Sequence, residues 1–460
     1  MTSTSIPPAE LTVLSPHDGT PVGTLPCAGA DEVRDAVATA RAAALDWART
    51  SPEERGRWVR AAADALADHA EEVAGLNTRE TGKLPQEALG GVMAGVGTLH
   101  QYAELGPVHR GHSLRGHALA SDYTVVEPRG VVAAITPWND PVAVAAGLLG
   151  AALVTGNTVV HKPSERCPHT GARLGEILAG VLPEGVLVTV TGGPETGQIL
   201  TEQAGLDVLA HVGSTATGVA IAHAALSTGA HVIRENGGND PLVVDDDVDP
   251  VWAAEQAAIG AFTNAGQICT SVERVYVHRA IAEPFLEALA AEARRRNADQ
   301  ALAPLVDRRM REAVHAHVLH ALEHGATALA GGTIPEGPGS HYPATVLSGC
   351  TEDLPVMTEE TFGPVAPVRI VDSFEEGLRW AAGGRYGLAA TVLTGRIAHA
   401  QRAIAELPAG TVKVNNVFGG APGGAAQPRR ASGAGFGYGP ELLDEMTQVK
   451  VVHVEMPPTP

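Results

Sequence analysis

The sequence predicts an α/β fold in two blocks, on two observations. Between residues 131 and 245, short apolar segments alternate with helical stretches, the apolar runs falling at 131–136, 158–161, 186–191, 208–212, 232–235 and 242–244. That rhythm marks a parallel sheet with helices over both faces. Four strand ends here carry glycine-rich or polar turns. Open parallel sheets bind ligands at those ends.

The elements follow in order. Residues 31–47 repeat Val and Ala at helical spacing. Ser51-Pro52-Glu53-Glu54 then supplies an N-cap, a proline at the first helical position and a capping-box glutamate. The amphipathic pattern runs on towards Glu80-Thr81-Gly82-Lys83. A strand at 123–127 precedes the turn Pro128-Arg129-Gly130. The stretch 142–160 is almost long enough to span a bilayer, but Gly156-Asn157 interrupts it. It reads as a buried helix, a tight turn and a buried strand rather than a membrane span. The second block holds the Cys269 region, a strand at 274–278, a helix at about 280–296, and strands near 368–371 and 411–414. The tail, 448–455, has the pattern of an exposed strand suited to pairing with another subunit's sheet.

Composition excludes several classes. A chain of 460 residues with 44% hydrophobic content has enough material for about two to four packed domains. A formal net charge of −20 argues against nucleic acid, which requires concentrated Lys and Arg. Cys27, Cys167, Cys269 and Cys350 are scattered, with no C-x-x-C spacing. Neither a disulfide framework nor a structural zinc site is expected, no other metal site is visible, and a reducing, cytoplasmic compartment is favoured. Residues 1–10 have neither a basic region nor an apolar core, so no secretory leader is expected.

The chemistry centres on Cys269, in Phe262-Thr263-Asn264-Ala265-Gly266-Gln267-Ile268-Cys269-Thr270, and on Glu235, which opens Glu235-Asn236-Gly237-Gly238-Asn239-Asp240-Pro241. A lone cysteine commonly behaves as a small buried hydrophobe. A glutamate before Gly-Gly can be a solvated turn. As a pair they fit covalent aldehyde oxidation: a thiolate adds to the carbonyl, and a carboxylate later activates water against the thioester. The turn Gly213-Ser214-Thr215-Ala216-Thr217-Gly218 could cradle a pyrophosphate on free amides, although it is neither G-x-G-x-x-G nor a Walker loop. Gly192-Gly193-Pro194-Glu195-Thr196-Gly197 opens another helix. Lys162 and Glu165 offer a cation and a carboxylate suited to a ribose, or are simply turn charges.

Taken together, these stretches resemble the NAD(P)-dependent aldehyde dehydrogenase superfamily over nearly the whole chain. The likeness runs from Ser15-Pro16-His17-Asp18-Gly19 through Glu80-Thr81-Gly82-Lys83, Pro137-Trp138-Asn139, Lys162-Pro163-Ser164-Glu165, Gly213-Ser214-Thr215 and Glu235-Asn236-Gly237-Gly238. It continues through Gly266-Gln267-Ile268-Cys269-Thr270, Glu359-Glu360-Thr361-Phe362-Gly363-Pro364-Val365 and Tyr386-Gly387-Leu388-Ala389. The resemblance implies a Rossmann-type cofactor domain (1–116 and 131–236), an α/β catalytic domain (237–430) and a β oligomerisation arm with tail (117–130 and 431–460). By position it makes Cys269 the nucleophile, Glu235 the base for the deacylating water, and Asn139 an oxyanion donor. Thr136, Pro137, Trp138, Lys162, Ser164, Glu165, Gly213, Ser214, Glu360 and Phe362 fall at cofactor-contacting positions. It also implies a small-molecule aldehyde substrate and a homodimer or homotetramer.

Several positions depart from the family pattern. Asp140 stands where an apolar residue is common, and Asn236 to Asn239 replaces Leu-Gly-Gly-Lys. Gln427-Pro428-Arg429-Arg430-Ala431 replaces Gly-Gly-x-Lys, Leu148 replaces a lysine, and 297–304 is short. No catalytic group is lost. Because acyl-CoA-forming relatives commonly lack the carboxylate, Glu235 favours hydrolysis, while Glu165 favours NAD over NADP, which remains possible. Two other classes stay open, a cofactor-free esterase and a catalytically silent protein that retains the fold.

Overall fold

The computed structural model describes residues 10–419 and 427–457. The reading of no leader rests on residues 1–9, which lie outside them. A six-stranded sheet has the order Gly433–Ala434, His231–Glu235, Val208–Val212, Val131–Ile135, Thr158–Lys162, Leu187–Thr189. All but Gly433–Ala434 are parallel. The chain starts this sheet in the middle, adds two strands on one side, then returns to add two on the other. The strand order therefore reverses between Val131–Ile135 and Val208–Val212, the point at which open α/β sheets leave a crevice.

The apolar runs make strands because both faces are covered. Val132 and Ala134 pack into one core cluster, and Val131 and Ala133 into another. This is the two-residue alternation of a pleated strand. The apolar stretch 142–160 is a helix, Pro141–Val154, followed by the strand Thr158–Lys162. The turn between them is anchored by Asn157, whose Oδ1 accepts from Gly130 N at 2.8 Å and whose Nδ2 donates to Met446 O at 2.9 Å. Among the described residues no helix is long and apolar enough to cross a membrane.

The second sheet has seven strands in the order Thr327–Ala330, Thr345–Ser348, Val365–Val371, Val272–His278, Asp240–Val244, Ala389–Leu393, Thr411–Val414. Here one expectation is corrected. The apolar run at 242–244 belongs to the centre of this sheet, not to the first block, pairing with Val272–His278 and Ala389–Leu393. The chain crosses between sheets in the few residues after Glu235, and strand periodicity does not say which sheet a strand joins. The tail strand Thr447–Glu455 pairs along its whole length with Ala120–Pro128 of its own chain, and Ser113–Leu114 is the third strand. Val449 and Val451 on that tail are exposed.

The helical pattern after Ser51 breaks at His69 into Pro52–Asp68 and Ala70–Thr81, and Ser51 Oγ caps the first by accepting from Glu54 N at 3.2 Å. Glu80, at the end of the second, is buried. Its carboxylate accepts from His169 N (2.9 Å), Thr170 N (2.8 Å) and Thr170 Oγ1 (2.6 Å), capping the helix Pro168–Ala179. Truncating it would leave those donors buried without an acceptor. Glu80→Ala is expected to lower stability by about 2–4 kcal/mol in chemical denaturation. An unchanged unfolding midpoint would show that water replaces the carboxylate.

Candidate active site

Nearly every site residue anticipated from the sequence lies at a strand end facing the crevice. Thr136, Pro137, Trp138 and Asn139 follow Val131–Ile135; Lys162 ends its strand, with Ser164 and Glu165 in the next turn. Gly213 and Ser214 follow Val208–Val212, and Glu235 ends His231–Glu235. The second sheet contributes from the opposite strand ends, with Cys269 just before Val272–His278 and Glu360 and Phe362 just before Val365–Val371. C-terminal ends of one sheet thus meet N-terminal ends of the other.

The loop carrying Cys269 is held under backbone strain. Asn264 and Ala265 adopt φ of 50° and 54°, each costing about 1–3 kcal/mol for a side chain with a Cβ. The next residue, Gly266, has φ 72°, and a Cβ there would sit 2.1 Å from Gly363 O, so only glycine fits. Side chains hold this geometry. Asn264 Nδ2 donates to Gln267 O at 3.1 Å, and Gln267 Nε2 donates to Asn264 O at 3.0 Å. Ser271 N then closes a turn on Ile268 O at 2.9 Å, leaving Cys269 at the crest.

At that crest the Cys269 thiol donates to Glu235 Oε1 at 3.6 Å. Burial, then Glu235, Asp240 and Glu360, hold the thiol well above the usual thiol range. Burial also raises Glu235, opposed by the thiol hydrogen bond. Both shifts favour the neutral, protonated form of each group. Asn139 stands alongside, its Nδ2 donating to Gln267 O at 3.2 Å, while Lys83 Nζ at 3.2 Å and Asn264 Nδ2 at 3.4 Å donate to its carbonyl. Lys83 also pairs with Asp140 at 3.2 Å, so the departure at 140 is matched by a buried cation.

Glu360 Oε1 accepts from Gly238 N at 3.0 Å, and a Cβ on Gly237 would fall 2.0 Å from the same oxygen. Trp138 and Phe362 meet edge to face at 5.6 Å between centroids, joining the two halves of the crevice. Lys162, Ser164 and Glu165, and Gly213 and Ser214, lie at the ends of two other strands of the same sheet. Lys162 Nζ donates to Pro163 O at 3.0 Å, and Ser214 Oγ caps the helix Thr215–Thr228 by accepting from Thr217 N at 3.3 Å.

A dinucleotide fits this donor set. A helix start at the strand-order reversal offers amides to a pyrophosphate, and there the Thr215 Oγ1 is shielded from solvent without a partner. A buried ammonium and an adjacent carboxylate suit a ribose, and the Glu360 carboxylate and the Trp138–Phe362 aromatics flank the thiol end.

Sequence reading missed Glu273 and gave Asn239 no role. Both are buried, and Glu273 accepts from Phe362 N at 2.7 Å, Thr361 N at 2.9 Å and Asn239 Nδ2 at 3.2 Å. Burial pushes the Glu273 carboxyl up to about 7, against those hydrogen bonds. A signal was present: Glu273-Arg274 interrupts the apolar run Val272 to Val277, and charges in a doubly buried strand need partners.

The fold and site define a two-sheet α/β enzyme with a thiol–carboxylate pair set where a nucleotide crevice ends. Comparison with known proteins agrees. The aldehyde dehydrogenase family model matches residues 3–452, and the chain belongs to that family, whose members are NAD(P)-dependent oxidoreductases. An NAD-dependent aldehyde dehydrogenase from Sinorhizobium meliloti is 33% identical, with a TM-score of 0.95 over 99% of this chain and 94% of that one. A betaine aldehyde dehydrogenase from Staphylococcus aureus, solved in complex with NAD+, is 28% identical, with a TM-score of 0.95 over 99% and 94%.

Proposed function

We propose that this chain oxidises an aldehyde to the carboxylic acid with NAD+, through a covalent bond to Cys269 that is hydrolysed by water activated at Glu235. The observation that carries this reading is the Cys269–Glu235 contact at 3.6 Å, in a crevice whose other end suits a dinucleotide. The Cys269 thiol releases its proton to solvent, the thiolate sulfur adds to the carbonyl carbon, and Asn139 Nδ2 with the Cys269 backbone N–H receives the oxyanion. Bound NAD+ supplies the hydride acceptor. The thioester on Cys269 is attacked by water whose proton passes to Glu235, releasing the carboxylate and restoring the thiol. Thr136, Pro137, Trp138, Lys162, Ser164, Glu165, Gly213, Ser214, Glu360 and Phe362 hold the cofactor. Residues 1–116 with 131–236 serve as its domain and 237–430 as the catalytic domain.

NAD is preferred because Glu165 repels a 2′-phosphate, and the adjacent Arg166 is engaged elsewhere. Its Nε pairs with Asp307 at 2.9 Å, and its guanidinium lies 5.2 Å from the Trp138 ring centroid. The four free cysteines support a reducing, cytoplasmic setting. The exposed tail strand supports assembly as a dimer or tetramer.

The test is an aldehyde panel, betaine aldehyde included, with NAD or NADP, following reduced nicotinamide and carboxylate together. One reduced cofactor per carboxylate is expected, with kcat/KM at least about tenfold higher for NAD. Ester cleavage without cofactor reduction would favour a cofactor-free esterase. A requirement for CoA would remove Glu235 from its role.

A further inference from the structure

We propose that Glu273 is a positioning residue for cofactor binding: it holds the Glu359–Phe362 loop in the one conformation that presents Glu360 and Phe362 to the nicotinamide half. This rests on the cofactor reading above.

Phe362 has φ 52°, a left-handed backbone that a bulky residue adopts only when its surroundings impose it. Glu273 is what imposes it. Its Oε1 accepts from Phe362 N at 2.7 Å and its Oε2 from Thr361 N at 2.9 Å, so one rigid carboxylate fixes two consecutive amides. Asn239 extends the clamp. Its Nδ2 donates to Glu273 Oε2 at 3.2 Å and to Glu359 O at 3.0 Å, and its own carbonyl accepts from Arg274 Nε at 2.8 Å.

Three segments are thereby locked together. The turn after Glu235 contributes Asn239, and the strand after Cys269 contributes Glu273 and Arg274. The third is the loop Glu359–Phe362, whose Glu360 closes the circuit on Gly238 N. Glu273 reaches neither Cys269 nor Asn139 through any of these bonds. Its loss should loosen the Glu360–Phe362 loop and leave the thiol's surroundings intact.

Glu273→Gln preserves shape but turns one acceptor into a donor, which then faces an amide N–H. The experiment measures NAD+ dissociation by calorimetry on the whole protein, the rate at which iodoacetamide alkylates Cys269 without cofactor, and the melting temperature. Expected is an NAD+ Kd about tenfold higher for Glu273→Gln and about threefold higher for Asn239→Ser, with Cys269 alkylation within about twofold of wild type. Equal NAD+ affinity in wild type and Glu273→Gln would overturn the proposal. So would affinity and alkylation changing in step with melting temperature, which would mark a structural residue only. Wild-type protein that fails to bind NAD+ would instead remove the cofactor reading itself.

Discussion

Cys269→Ala is expected to abolish aldehyde oxidation, with kcat falling on the order of 10⁴-fold or more, while NAD+ affinity is retained. The size of the loss follows from the sulfur's role: without it no covalent bond to the carbonyl forms, and the oxyanion donors have nothing to stabilise. The other thiols serve as internal controls. Cys167 and Cys350 are buried, whereas Cys269 and Cys27 are partly exposed, so a reagent in solution reaches the latter two. Iodoacetamide should therefore inactivate wild type in step with labelling of Cys269, while labelling of the partly exposed Cys27 leaves activity unchanged. Activity that survives in Cys269→Ala would move the chemistry to another group.

Glu235→Gln is expected to separate the two halves of the reaction. The amide cannot take a proton from water, so thioester hydrolysis should slow by about 10²–10⁴-fold. Acylation should persist. The substitution removes one of the carboxylates that push the Cys269 thiol upward, which favours the thiolate. Rapid mixing should then show a burst of one reduced nicotinamide per active site, followed by a slow steady state, with an acylated Cys269 peptide in the mass spectrum. Full turnover at the wild-type rate would exclude Glu235 as the base.

The wild-type pH profile carries the same signature. Burial raises the Glu235 carboxyl above the ordinary glutamate value. Below that raised value the group is protonated and cannot serve as a base; above it the carboxylate is available. Hydrolysis should rise with pH through the raised pKa and then level off. In Glu235→Gln that limb should vanish.

Much of this was legible in the linear chain, for physical reasons that differ from residue to residue. Strands at 131–136, 158–161 and 208–212 were readable because doubly covered parallel strands are almost wholly apolar. Glycine at 213 and the polar run after Thr136 stood out because strand ends at a crevice carry turn chemistry. The helix and strand within 142–160 were separable because Gly156-Asn157 breaks both periodicities. The strand at 242–244 was readable as a strand but assigned to the wrong block, since its neighbours come from residues more than thirty positions away. Glu273 escaped notice altogether. Its partners, Asn239, Thr361 and Phe362, are distant in sequence, and a glutamate in a strand says only that some partner exists.

By itself the sequence determined the fold class, the family likeness, the thiol and carboxylate proposed to carry the chemistry, and the turns that suit a dinucleotide. These depend on residue type and local periodicity, which a linear chain displays directly. Only the tertiary structure decided that Cys269 donates to Glu235, that Lys83 answers Asp140, and that Glu273 clamps a left-handed Phe362. The reason is that hydrogen bonds and ion pairs are made over about 3–4 Å between groups the chain separates by tens or hundreds of residues. Pattern fixes which face is buried, and packing alone fixes which buried groups meet.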